Sequence, residues 1–260
     1  MLQGGAAVEL EQEKDVIELC GKVGKILLEN GAETARVEGT VEYIGKAAGV
    51  DLSCHAAMTA IFVDANDNPL THLVKVRTGD FDLRKVDAIN TLSRQFVAAE
   101  IDYAHLKRAV AQVNVRRRDY NWPSKILGAG LVSVAPMLAF VATWQDLAWA
   151  FFVGIAGYLA AQWVGHINTT PYIAVGVGGL VISLLANVLQ LLGWGTSADY
   201  IIISALMPLV PGVAITNSLR EIIARHTISG MVRALDAIMT AGAIGAGVVM
   251  GAALVQLIGG

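Results

Sequence analysis

Side chains able to do chemistry are scarce in the second half of this chain, and one polar cluster of them ends the interrupted stretch of residues 208–221. Pro208, Pro211 and Gly212 interrupt a run that is otherwise apolar enough to lie in lipid. Each proline removes a backbone N–H and disturbs the turn before it. At membrane depth, carbonyls and amides released in this way are tolerated mainly where protein buries them or they line a cavity. Such a break offers helix-end amides to a carboxylate and free carbonyls to an ammonium group or cation. Thr216 and Asn217 add hydrogen-bonding side chains, and Arg220 and Glu221 close the stretch with charge. Asp236 follows in or just before the last apolar run, where an ionisable residue is costly and becomes a candidate proton or ammonium partner. The predicted substrate-binding set is therefore Pro208, Pro211, Gly212, Thr216, Asn217 and Asp236. Structural alternatives stand beside it: Arg233 and Asp236, three apart, could pair on one helix face. Arg220 and Glu221 could belong to an ordinary interfacial loop. Asn187 and residues 166–168 (His-Ile-Asn) are further polar positions in apolar surroundings.

The first half holds more titratable groups but no recognisable constellation. His55 and His72 fall on two predicted strands and could approach across a hairpin. A metal or acid–base role would need further ligands or a carboxylate partner. No HxH, HExxH or CxxC spacing supplies them, so sheet histidines satisfied by solvent are the plainer reading, and neither a metal nor a cofactor is expected. Cys20 and Cys54 match no metal spacing and read as buried or reduced thiols. Arg36 stands between Glu33 and Glu38 near a predicted helix start. It belongs either to a solvated salt-bridge face or, with Glu38, Arg77, Arg220 and Glu221, to a gating or solute-sensing surface. No phosphate-binding glycine loop is present, so this chain is not expected to consume ATP.

Charge distribution sets the elements that must position these groups. Residues 1–125 hold 16 of the 19 Lys and Arg and 18 of the 22 Asp and Glu, although the whole chain is 55% hydrophobic. Residues 126–260 are left with 3 basic and 4 acidic side chains, too few to make a water-facing surface. The predicted fold class is an α+β cytoplasmic domain over residues 1–121, followed by an all-α membrane domain of five transmembrane helices over residues 122–260. In the first part, Val16, Leu19, Cys20, Val23, Ile26 and Leu27 recur at helical spacing before the stop Asn30-Gly31. A second helix is predicted over 33–48, β-rich runs over 51–63 and 70–77 form one hairpin, and helices over 82–100 and 102–115 complete an ααββαα order.

In the second part, spans are predicted at 124–143, 147–165, 172–192, 200–218 and 231–258. Trp122, Trp144, Trp149, Trp163, Trp194 and Tyr200 lie near their ends, as interfacial aromatics do. Arg116, Arg117, Arg118 and Lys125 precede the first span, and Arg220, Arg225 and Arg233 lie between the fourth and fifth. Five crossings put both basic clusters in the cytoplasm and the C-terminus on the outer side. Small residues (Ala150, Gly154, Gly157, Ala161 and Gly165, then Ala243, Gly247 and Gly251) permit close helix approach, within the chain or against a partner subunit. A net charge of −3 without a basic–aromatic pattern gives no sign of nucleic-acid binding. The N-terminus lacks the basic and apolar regions of a cleaved signal peptide.

Two blocks resemble signatures of the threonine/serine exporter family, in its YjjP-like N-terminal half. One is residues 30–38, Asn-Gly-Ala-Glu-Thr-Ala-Arg-Val-Glu, and the other is residues 211–221, from Pro211-Gly212 to Arg220-Glu221. Arg77, Gly79-Asp80 and Leu83 add to the likeness. The resemblance covers nearly the whole chain and implies secondary transport: export of threonine and serine, or of succinate-like dicarboxylates in two-component relatives, across the inner membrane. Because single-chain members carry further spans, it also implies a second membrane subunit, or self-assembly. An enzyme is not expected. The alternatives are a membrane-anchored hydrolase-like enzyme around His55, His72 and Arg77, or a cytoplasmic domain that senses solute through Arg36, Glu38 and Arg77.

Overall fold

A computed structural model describes residues 2–77, 82–115, 121–139, 143–167 and 170–259. The chain divides into two compact units, one of Met1–Arg118 with Asn217–Arg233, the other of Asp119–Thr216 with Ala234–Gly260. Arg116–118, Gly79, Asp80 and Asn168, which entered the sequence reading, lie outside the described residues.

The first unit starts with α1 (Leu2–Glu29) and α2 (Thr34–Ala47), reversed at Gly31, whose φ of 92° suits glycine. A three-stranded sheet follows, β1 (Leu52–Ala57), β2 (Ala60–Ala65) and β3 (Thr71–Lys75), then α3 (Leu83–Val97) and α4 (Tyr103–Val115). The helical periodicity of α1 becomes packing: Cys20, Val23 and Leu27 join Val37, Val41 and Ile44 of α2, Ile61 and Val63 of β2, Ile89 of α3 and Leu106 of α4 in one core. Residues 51–63, expected as a single strand, fold back at Met58-Thr59 into an antiparallel β1-β2-β3 order. That two-residue turn contains neither glycine nor asparagine, so the sequence does not announce it. The free edge of β1 is covered by carboxylates one helical turn apart on α2. Glu38 accepts from the Ala56 N–H (2.9 Å) and Glu42 from the Cys54 N–H (3.2 Å), which occupies an edge that would otherwise pair with other strands. Burial pushes both cysteine thiols up to about 12.

The remaining helices are α5 (Trp122–Val134), α6 (Trp144–Ile167), α7 (Pro171–Leu191), α8 (Ala198–Ala205), α9 (Gly212–Ile223) and α10 (Thr227–Gly259). They overturn the expected fold class of an α+β domain followed by five transmembrane helices. Among the described residues, three helices are long and apolar enough to cross a membrane (α6, α7 and Thr227–Leu257 of α10), or up to four if Ala198–Leu209 and α9, bent by 67°, form one span. The first expected span fails on length. The 13-residue α5 is about 20 Å long at 1.5 Å per residue, against ~30 Å of hydrocarbon, and the 3₁₀ turn Ala135–Ala139 holding Pro136 follows it. Nor is the sheet-bearing unit an N-terminal segment alone, since it takes in Asn217–Arg233. The molecule is predominantly helical with one small sheet, and an orientation counted over five crossings loses its basis.

Within the second unit the small-residue stripes pack inside the chain. A Cβ on Gly157 would collide with Ile182 of α7, and one on Gly247 with the Gly176 carbonyl. A Cβ on Gly251 would stand 2.7 Å from the Leu180 carbonyl oxygen. The Ser183 hydroxyl donates to the Val248 carbonyl across the same α7–α10 seam, at 2.7 Å. Backbones meet where side chains are absent, as close helix pairs in membranes do.

Candidate functional site

In the second unit the prolines do what their chemistry demands. Pro208 sits in a single 3₁₀ turn, Met207–Leu209, and Pro211 immediately precedes α9. Short-range bonds take over from the helical ladder: Leu209 N–H to Leu206 O (2.8 Å) and Gly212 N–H to Val210 O (2.9 Å). Nothing lies within 4 Å of where a Cβ on Gly212 would be, so its backbone is open to approach. The Thr216 hydroxyl donates back to the Gly212 carbonyl at 3.0 Å and steadies the first turn of α9. Asp236 accepts a 2.7 Å hydrogen bond from the Tyr172 hydroxyl. Tyr172 lies in the first turn of the 21-residue α7, a helix of about bilayer length. Asp236 therefore stands level with the end of α7 and not with its middle. A groove of about 310 Å³ beside it is lined by Tyr172, Gly176, Val177, Ala243, Gly247 and Met250, so the one polar group at its wall is the Tyr172 hydroxyl already bonded to Asp236.

In the first unit, residues 31–38 and Asn217–Arg233 are joined by a clasp of charge and hydrogen bonds. Glu221 is fully buried. Its Oε1 accepts from the Thr34 N–H (3.1 Å), the Thr34 hydroxyl (2.9 Å) and Arg233 Nε (3.0 Å). The carboxylate thus meets the N-terminus of α2, where the helix dipole favours negative charge. Arg233, itself buried, donates from its guanidinium to the Ala32 carbonyl at 2.9 Å, and the Asn217 amide donates to the Gly31 carbonyl at 3.2 Å. At the rim, Arg220 pairs with Glu33 at 3.5 Å. Glu38 lies 3.6 Å from both His226 Nε2 and His55 Nδ1.

These contacts decide between the readings left open above. Arg233 pairs with Glu221 and Asp236 with Tyr172, so the two do not pair with each other. Arg220 and Glu221 belong to the clasp. His55 and His72 are separated by β2 and face opposite sides of the sheet, His55 opposite Phe62 and His72 opposite Val63. Of the expected gating group, Glu38, Arg220 and Glu221 are brought together. Arg36 is exposed two residues after Thr34, and the exposed Arg77 bonds elsewhere, its backbone N–H to Glu29 at 3.1 Å.

The model of the family described as "Putative threonine/serine exporter" matches residues 18–255. The chain belongs to the threonine/serine exporter family. A curated relative, the "Threonine/serine exporter" of Corynebacterium glutamicum, is 21% identical over 258 residues. That alignment covers 95% of this chain but 53% of the relative, so the chain spans about half the length of the curated relative it matches. No solved structure matches it. With its apolar helices of spanning length, this exporter-family chain is a membrane protein.

The two blocks that carried the resemblance are the two that the clasp joins, apart from residues 211–216 of the second. Sequence reasoning missed three of its contributors. Thr34 lay unremarked inside the first block, Arg233 was weighed only against Asp236, and His226 was not considered. For Arg233 a signal existed, since it is one of only 3 basic side chains in residues 126–260. Asp146, in the first turn of α6, is a further buried acid. It accepts from the Thr196 N–H at 2.7 Å, tying the α7–α8 connection to α6.

Proposed function

We propose that the chain is a subunit of a secondary transporter that exports small polar metabolites, threonine and serine first, across the inner (plasma) membrane. The observation that carries this reading is the family match over residues 18–255. The printed name of the curated relative supports the substrate class. The break at Pro208–Gly212 supports the mechanism: helix-end amides would hold the substrate carboxylate and opened carbonyls its ammonium group. Thr216 and Asn217 lie on the helix that leaves the break. Asp236, on its Tyr172 hydroxyl, would take the ammonium group or a proton where the path meets the membrane edge. Arg220, Arg225 and Arg233 beside apolar helices favour a cytoplasmic side for the clasp-bearing unit. The three or four candidate spans among the described residues make a thin bundle, so further membrane helices, from a second subunit or a second copy, would complete the path.

Efflux from cells loaded with labelled threonine, serine and succinate tests this reading, with the chain expressed alone and beside a candidate partner subunit. Threonine and serine efflux above the vector background is expected, and Asp236→Asn at equal abundance should lower it. Succinate efflux alone would move the substrate to dicarboxylates. No efflux of any of the three with any partner would remove the exporter reading.

A further inference from the structure

Glu221 sits on the N-terminus of α2 as a bound carboxylate would. Helix starts hold such anions through free amides and the positive end of the helix dipole. Here the anion belongs to the chain itself, and it fits by half. Oε1 gathers the Thr34 N–H (3.1 Å), the Thr34 hydroxyl (2.9 Å) and Arg233 Nε (3.0 Å). Oε2 is also buried and, among the described residues, meets no hydrogen-bond donor. A buried acceptor left without a donor is destabilising. An ammonium group is one that would satisfy it.

The helix start is only partly occupied too. Glu33, at the cap position, makes no side-chain cap and reaches Arg220 instead. The first amide of α2 to find a backbone carbonyl is that of Val37, on Glu33 O at 3.0 Å. The Ala35 and Arg36 amides therefore lie ahead of the helical ladder. Donors suited to a carboxylate thus stand beside an acceptor suited to an ammonium group.

Charge selects between ligands. In the closed clasp Glu221 and Arg233 neutralise each other while both are withdrawn from water. A simple anion would take Arg233 and strand Glu221, and a simple cation would do the reverse. Either leaves one buried charge unpaired, which is the costly case. A zwitterion serves both.

We propose that the clasp is a closed site for a free α-amino acid. The ligand carboxylate replaces Oε1 of Glu221 on Thr34 and Arg233, and the ligand ammonium group pairs with the displaced Glu221. Residues 217–233 then hold α2 through the bound amino acid, and the clasp opens as the amino-acid concentration rises. This site is distinct from the transport path at the proline break, and binding here does not require efflux.

The test uses the full chain in nanodiscs, with spin labels at Tyr43→Cys on α2 and Ile223→Cys on α9, both exposed positions. Cys20 and Cys54 are buried with thiols pushed up to about 12, so the introduced cysteines label selectively. The distance between the labels is read against added threonine, N-acetylthreonine, threonine amide and succinate. Threonine should build up a second, longer distance. The other three, which lack either the ammonium group or the carboxylate, should need concentrations about tenfold higher or more, the loss that one charge-assisted hydrogen bond brings. Glu221→Gln removes the partner of the ammonium group, and its label distance should no longer respond to threonine. A wild-type distance unchanged at the highest soluble threonine would overturn the proposal. An equal response to succinate or N-acetylthreonine would overturn the zwitterion, and a Glu221→Gln response equal to that of the wild type would place the site elsewhere.

Discussion

In the clasp, three chain segments are joined by groups that each carry charge or a hydrogen bond, with Glu221 and Arg233 both withdrawn from water. In the α7–α10 seam, two helices are joined by leaving side chains out, so that Gly247 and Gly251 lie against the carbonyls of Gly176 and Leu180. The clasp is specific and electrostatic. Its strength depends on every partner being present, because a buried charge without its partner is far more costly than the pair. The seam is steric. It tolerates any change that keeps its surface flat and none that adds a Cβ. Motion that opens and closes a path is therefore expected at the clasp and the proline break, while α7 and α10 move as one body.

The largest effect should come from splitting the clasp. Arg233→Met alone leaves Glu221 buried without its cation and should cost about 3–5 kcal/mol. The double variant Glu221→Leu with Arg233→Met should recover much of that, since an apolar replacement of both partners is often near neutral. Thermal unfolding of the purified chain in detergent checks this, and a double variant no more stable than the single would show that the pair contributes geometry rather than mutual neutralisation. Gly247→Val should come next, at about 1–3 kcal/mol for overpacking or more if the backbones cannot separate, read from the same melts. If it proves neutral, the seam is looser than its carbonyl contacts require.

A pH effect is the smallest. Asp15 on α1 is held below the usual carboxylate range, first by its hydrogen bond from Lys107 on α4 and further by one from the Tyr103 hydroxyl. A depressed carboxylate stabilises the folded state at pH above its unfolded value of about 4, and that stability is lost as pH falls through the folded value. Melts of the wild type should therefore drop more steeply below pH 4 than those of Asp15→Asn. Because the pair is half-exposed, the difference should be modest, and parallel curves would place acid sensitivity elsewhere.

Local pattern made parts of this molecule legible. The helix expected over 33–48 is α2 at Thr34–Ala47, and that over 102–115 is α4 at Tyr103–Val115, because apolar spacing and glycine stops act within a few residues. The GxxxG seam was legible for the same reason. Two features failed on local grounds: the turn at Met58-Thr59 lacks the usual residues, and α5 looked continuous in hydropathy although Pro136 follows it closely. The clasp was out of reach for another reason. Thr34 and Glu221 are 187 residues apart, and nothing in either neighbourhood says which carboxylate meets which helix start. Arg233 and Asp236 show the same limit, since spacing on one helix offered a pair and tertiary packing gave each a different partner.

The most direct measurement is threonine and serine efflux from loaded cells carrying the chain, with its partner subunit where one is needed, as wild type and as the double variant Pro208→Ala with Pro211→Ala. Restoring two backbone N–H groups should straighten the 67° bend between α8 and α9 and close the opened backbone. Most of the efflux should disappear while the protein stays equally abundant and equally stable in the membrane. Undiminished efflux from the straightened helix would contradict it, because substrate would then be passing somewhere other than the proline break.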